Sequence, residues 1–116
     1  MIARRKPMPL AFWRASSGRE PVREWLQTMA QSDRAVIGAD LRAIQFGWPI
    51  GMPLVRKLAD AVWEARSSLP SKREARLLFT ANEDQIVVLH GFIKKAQKTP
   101  RGEIELAQKR LREMVS

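Results

Sequence analysis

Val62-Trp63-Glu64-Ala65-Arg66-Ser67, Ala75-Arg76-Leu77-Leu78-Phe79-Thr80 and Ile86-Val87-Val88-Leu89-His90-Gly91-Phe92-Ile93-Lys94 are the stretches on which the fold turns. Their apolar and polar residues follow the period of a strand. Pro70-Ser71-Lys72-Arg73 and Asn82-Glu83-Asp84 separate them, so the spacing predicts strands on short connections, paired antiparallel. Side chains two apart share a strand face. Glu64 and Arg66 therefore oppose Trp63 and Ala65. Leu77 and Phe79 oppose Arg76 and Leu78, and His90, Phe92 and Lys94 oppose Leu89, Gly91 and Ile93. Burying Trp63, Ala65, Leu77, Phe79, Leu89 and Ile93 collects Glu64, Arg66, Arg76, His90 and Lys94 on the other face.

Upstream of these strands the period changes. Pro21 suits a first helical turn, and Val22, Trp25, Leu26 and Met29 recur at helical spacing from Glu20 onward. A second helix, capped by Ser32 or Asp33, places Ile37, Leu41 and Ile44 inward. Joined at Gln31 to Asp33, the two read as a helical hairpin. Gly47-Trp48-Pro49 ends it, and a loop through Gly51-Met52-Pro53 runs on to about Leu58. Before the hairpin, Met8 to Trp13 reads as a short strand broken by Ser16-Ser17-Gly18. After Thr99-Pro100 a last helix from about Glu103 turns Ile104, Ala107, Leu111 and Met114 inward. The expected fold is α+β in the order β-α-α-β-β-β-α. Its sheet is antiparallel, the helical hairpin covers one face, a helix closes the chain, and residues 1–116 form one domain.

A chain of 116 residues fits one domain, because half of it could not bury a core. The net charge of +9 asks for a polyanionic partner: nucleic acid, an acidic membrane surface or an acidic protein. The chain has no cysteine, which removes disulfides and thiolate chemistry and suits a reducing cytoplasm. The basic cluster Arg4, Arg5 and Lys6 is followed by Pro7 and Pro9 and not by an apolar run, so no signal peptide is read. The longest apolar run, Ile86 to Leu89, is far too short for a membrane span, and membrane partners are not expected.

Guanidinium and ammonium groups bind phosphate and stabilise the extra charge of a phosphorane-like transition state. A histidine at His90 can carry a proton near neutral pH. With RNA, a base can activate a 2′-hydroxyl against the adjacent phosphodiester, which needs no metal and no cofactor. No metal-ligand cluster and no glycine-rich phosphate loop is found in the sequence. Lys94, Lys95, Lys98 and Arg101, followed by Lys109, Arg110 and Arg112, form an electrostatic track for a phosphate backbone. The plainer readings stand beside these. A lone histidine in a strand is often structural, Glu64 and Arg66 can be a solvated cross-strand pair, and the basic run can be ordinary surface. Trp13, Trp25, Trp48 and Trp63 read as packing, not as base-stacking platforms.

Val62-Trp63-Glu64-Ala65-Arg66 with Arg76-Leu77-Leu78-Phe79, then Val88-Leu89-His90-Gly91-Phe92-Ile93-Lys94-Lys95, Lys98-Thr99-Pro100 and Glu103-Ile104-Glu105-Leu106-Ala107, resemble the phage-derived RelE-like toxins. These sit in the RelE/ParE superfamily, close to the HigB type of type II toxin–antitoxin system. The likeness extends to Gly18-Arg19-Glu20-Pro21, Trp25-Leu26 and Gly47-Trp48-Pro49-Ile50-Gly51-Met52-Pro53, and so covers nearly the whole chain in order.

The resemblance implies a growth-inhibiting toxin that cuts mRNA on the ribosome and is silenced by a small helix-turn-helix antitoxin. It assigns Arg66 and Arg76 to the scissile phosphate, His90 to proton transfer, and Lys94 to the same basic strand end. Lys95, Lys98 and Arg101 become RNA-backbone contacts, with Glu64 orienting Arg66 or acting as a base. No cofactor is implied. Ala61 stands where relatives tend to have glycine, and the chain has no tyrosine, so no tyrosine-dependent mechanism applies. Two other functions fit the same residues: poisoning of DNA gyrase, as ParE relatives do, and a non-catalytic nucleic-acid or ribosome-binding module.

Overall fold

The structure, a computed structural model, describes residues 6–114. Arg4 and Arg5 of the basic cluster lie outside the described residues. The chain runs β1 (Leu10–Phe12), α1 (Pro21–Gln27), α2 (Gln31–Gly47), β2 (Val55–Ala59), β3 (Val62–Ser68), β4 (Glu74–Ala81), β5 (Ile86–Ile93) and α3 (Arg101–Met114). The strands form one five-stranded sheet in the order β1-β5-β4-β3-β2. The fold is α+β as expected, and compatible with a RelE-like architecture.

Two expectations about the sheet need correction. It is mixed, not antiparallel throughout, because β1 pairs parallel to β5 with Leu10 opposite Ile86. Two helices and the three antiparallel strands β2, β3 and β4 intervene before β5 comes to lie beside β1, so β5 can arrive in the direction of β1. Residues read as loop up to Leu58 include a further strand, β2, antiparallel to β3. Val55 alone in β2 is fully buried, and Arg56 and Lys57 face solvent, so an edge strand of this kind has almost no apolar period to betray it.

The helical hairpin is present, but its connection is residues 28–30, and Gln31 to Asp33, read as the joint, form the first turn of α2. Val22, Met29, Ile37, Leu41 and Ile44 form one core with Val55, Ala65, Leu77, Phe79 and Val88 from the sheet. Trp48 packs edge-on against Trp63 at 5.0 Å and against Phe79 at 5.4 Å, which confirms a packing role for these rings. The helix α2 begins without a side-chain cap at Ala30. Asp33 is instead buried and serves the β3–β4 connection, accepting from the Ser71 N–H at 3.2 Å and from Arg73 Nη2 at 3.4 Å. The Ser71 hydroxyl foremost, then its N–H and Arg73, hold the Asp33 carboxyl below the ordinary carboxylate range, against the opposing effect of burial.

The second face is less open than the sequence implies, because α3 packs across it. Val62, Leu78, Val87, Leu89 and Ala107 make a separate small core there. Leu89 belongs to this second core, not to the first as strict alternation requires. Phe79 pairs with Val88 and Leu78 with His90, so Leu89 is the extra residue of a β-bulge. Leu89 and His90 consequently point to the same side. The bulge carbonyl of Leu89 accepts from Arg110 Nη1 of α3 at 2.7 Å, and the same guanidinium lies 4.8 Å from the Trp13 ring centre. Burial pulls the Arg110 guanidinium below the usual arginine range.

Local backbone sets two checks. Ala61 closes the β2–β3 hairpin at φ +58°, a left-handed conformation that favours glycine. Ala61→Gly is expected to stabilise the protein by about 1 kcal/mol. Gly91, in contrast, lies flat against the Trp25 ring, which a Cβ would enter. Gly91→Ala is expected to destabilise by about 2 kcal/mol through overpacking. Urea unfolding of both variants beside the parent measures the two shifts.

Candidate nucleic-acid interface

The strand register lays the candidate side chains out as a grid on the α3 side of the sheet. Glu64, Leu78 and His90 form one row across β3, β4 and β5. Arg66, Arg76 and Phe92 form the next. Ser68 opposite Glu74 begins the third, and Lys94 completes it by donating its N–H to the Glu74 carbonyl at 2.7 Å. The face read from the sequence is therefore real: Glu64, Arg66, Arg76, His90 and Lys94 share it.

The rows differ in exposure because α3 covers the first. His90 Nε2 lies 3.2 Å from Glu103 Oε1 of α3, and its ring stacks on Phe92 with centroids 5.7 Å apart. The His90 side chain is only 14% exposed. Glu64 is buried, accepts a hydrogen bond from the Thr99 hydroxyl, and places Oε1 3.8 Å from Arg76 Nε. Glu64 thus addresses Arg76 and not Arg66.

Arg76 is buried as well. Its Nη1 donates to its neighbour's carbonyl, Ala75 O, at 3.0 Å and lies 3.5 Å from Glu74 Oε1. A buried guanidinium needs this compensation, since an unpaired charge in a low-dielectric site is strongly disfavoured. Arg66 is half-buried, with Nη1 3.6 Å from Met52 Sδ. It lines an open cleft of about 330 Å³ with Pro53, Leu54, Ser68 and Glu74. Lys94 and Lys95 line a neighbouring cleft of about 500 Å³ with Glu74, Ala96 and Gln97.

The remaining candidates spread out. Lys98 joins Arg56, Lys57 and Thr99 around a smaller cleft of about 210 Å³ at the β2 edge. Arg101 pairs with Glu105 one turn along α3 at 3.1 Å and is almost fully exposed. The residues that sequence reasoning passed over are Glu74, Thr99 and Glu103. Glu103 appears there only as the start of the last helix, and nothing in the linear pattern marks the other two as neighbours of arginine and glutamate. Among the described residues no three of His, Asp and Glu gather closely enough to hold a metal ion. No described helix is long and apolar enough to cross a membrane.

Residues 24–112 match the family described as Phage derived protein Gp49-like (DUF891). The chain belongs to that family. The match takes in the end of α1, all of α2, the four strands β2 to β5 and nearly all of α3. The Gp49-like family is associated with toxins of toxin–antitoxin systems. No curated protein sequence matches the chain.

The geometry of this Gp49-like grid predicts unequal costs for its acidic and basic members. Glu64→Ala leaves the buried Arg76 short of its fixed counter-charge and is expected to destabilise by about 3 kcal/mol. Arg66→Ala removes a half-exposed group and is expected to stay within about 0.5 kcal/mol of the parent. Chemical denaturation monitored by tryptophan fluorescence compares the two.

Proposed function

We propose that this protein is the toxin of a type II toxin–antitoxin system and that it cleaves mRNA on the ribosome as a metal-independent endoribonuclease. The observation that supports this most is the convergence of Arg66, Arg76, Lys94 and Lys95 around the open rows of the sheet, with His90 at their inner margin. Family membership and the resemblance to RelE-like toxins point the same way.

The reaction class follows from the groups available. A proton leaves the 2′-hydroxyl, and the oxygen attacks the adjacent phosphorus. The 5′-oxygen of the next nucleotide departs and takes up a proton. The products are a 2′,3′-cyclic phosphate and a 5′-hydroxyl, with atoms and charge in balance. The steps need two proton transfers and cations fixed around the phosphorus, so the enzyme's part is electrostatic and positional.

In this reading Arg66 and Lys94 hold the phosphate, and Arg76 supplies fixed positive charge from beneath. His90 carries a proton, its ring oriented by Glu103 and Phe92. The strand of RNA lies along β5 from Lys94 towards the α3 margin. Lys95 extends the phosphate contacts, and Lys98 and Arg101 take those further along the strand. A helix-turn-helix antitoxin is the proposed silencing partner. Masking this strongly basic surface is the physical task it would perform.

Primer extension on a defined reporter mRNA in a bacterial translation extract tests the proposal. Purified protein is expected to create new 5′ ends that disappear when ribosomes are removed. Arg66→Ala and His90→Ala are each expected to lower cleavage at least about a hundredfold while remaining folded. Intact mRNA with normal translation would sink the ribonuclease reading, and gyrase–DNA adducts in expressing cells would replace it with the gyrase one.

A further inference from the structure

Glu74 stands where the open cations meet. It lines the cleft of Arg66 and Ser68, and also the cleft of Lys94 and Lys95. Its Oε1 lies 3.5 Å from Arg76 Nη1, and its side chain is 44% exposed. Within the two open rows, Arg66-Arg76-Phe92 and Ser68-Glu74-Lys94, it is the one acidic side chain.

The two acids beside Arg76 are not equivalent. Glu64 is buried and held by Thr99, so it is a fixed counter-charge that a ligand cannot reach. Glu74 is partly exposed and meets Arg76 at 3.5 Å, so its carboxylate, unlike that of Glu64, has solvent beside it. A phosphodiester bridging Arg66 and Lys94 has to pass over β4 between Arg76 and Glu74, because Arg66 lies on β3 in the row of Arg76 and Lys94 follows β5 in the row of Glu74. Two anions do not share that position without strong repulsion.

We propose that Glu74 is an internal anion occupying the phosphate position of the cation array, and that RNA binds by displacing it. The inference rests on the ribonuclease reading and adds an affinity-determining residue to it. Glu74 offsets the charge of Arg76 from the solvent side when no RNA is present. It also sets a threshold: a single surface phosphate competes poorly, whereas a strand that reaches Lys95 and Lys98 as well binds strongly enough to move the carboxylate.

Fluorescence anisotropy of the full chain with a labelled, uncleavable 2′-O-methyl oligoribonucleotide reads this directly. Glu74→Gln is expected to bind about fivefold tighter than the parent. Its log Kd is expected to be steeper in log salt by about 0.7, the increment for one more neutralised phosphate on a single strand. Glu83→Gln changes the net charge equally at the far end of β4, roughly 25 Å of strand away, and is expected to stay within about twofold. Glu74→Ala is expected to follow Glu74→Gln.

If Glu74→Gln binds no tighter than the parent, or Glu83→Gln tightens binding as much, the proposal is overturned. Should the parent cleave mRNA in the extract in that case, the ribonuclease reading survives and this inference alone falls. Should neither protein bind the oligonucleotide nor cleave, both fall together.

Discussion

A guanidinium buried in the middle of the sheet, among the acids of its own and the adjacent strand, governs the rest of this molecule. Arg76 sits mid-strand in β4 with almost no solvent, and such a charge persists only where fixed partners replace its hydration. Glu64 on the adjacent strand supplies the main one. Glu64 in turn is fixed by the Thr99 hydroxyl, which ties the Lys94–Lys98 segment and the start of α3 to β3. One buried charge therefore fixes the position of a carboxylate, a threonine and the lysine-bearing connection above the sheet.

The bulge at Leu89 performs the complementary task. By adding one residue to β5 it turns Leu89 into the small core under α3 and brings His90 round to the same side. Arg110 satisfies the carbonyl this exposes, so the bulge and α3 depend on each other. Without the extra residue, alternation would keep His90 on that face but remove Leu89 from the small core beneath α3, the helix that orients the ring through Glu103. Gly91 then lets α1 close on the opposite side, where Trp25 rests on the bare backbone. The three elements around His90 thus meet through one short segment of β5.

Much of this was legible in the sequence, for identifiable reasons. Period-two spacing in β3, β4 and β5 placed Glu64, Arg66, Arg76, His90 and Lys94 on a common face, because each of those strands buries its other face against the helical hairpin. Leu89 defeated the same rule, since a bulge formed by leucine carries no glycine to mark it. The edge strand β2 was invisible because a strand with one buried residue has no apolar alternation to show. Asp33 looked like a helix cap, and its actual use depends on Ser71 and Arg73, far away in sequence. Burial of Arg76 was equally hidden: a charged residue reads as exposed until its partners are known.

The placement of charge also bears on whether this face only binds or also reacts. Surface lysines on flexible stems attract a phosphate backbone but are ordered by it, so part of the interaction is spent on immobilising them. Arg76 is ordered before any ligand arrives, and its charge lies in a medium where a field acts at greater strength than in water. For binding alone that arrangement is inefficient, since burial and pairing weaken its hold on a ground-state phosphate. It favours instead a species whose negative charge grows as the reaction proceeds, because the fixed cation needs no reorganisation to meet it. His90, oriented by Glu103 and Phe92 at the margin of the same array, fits such a reaction better than it fits a passive track. In the proposed ribonuclease reading, the exposed lysines would serve capture and the buried arginine the transition state.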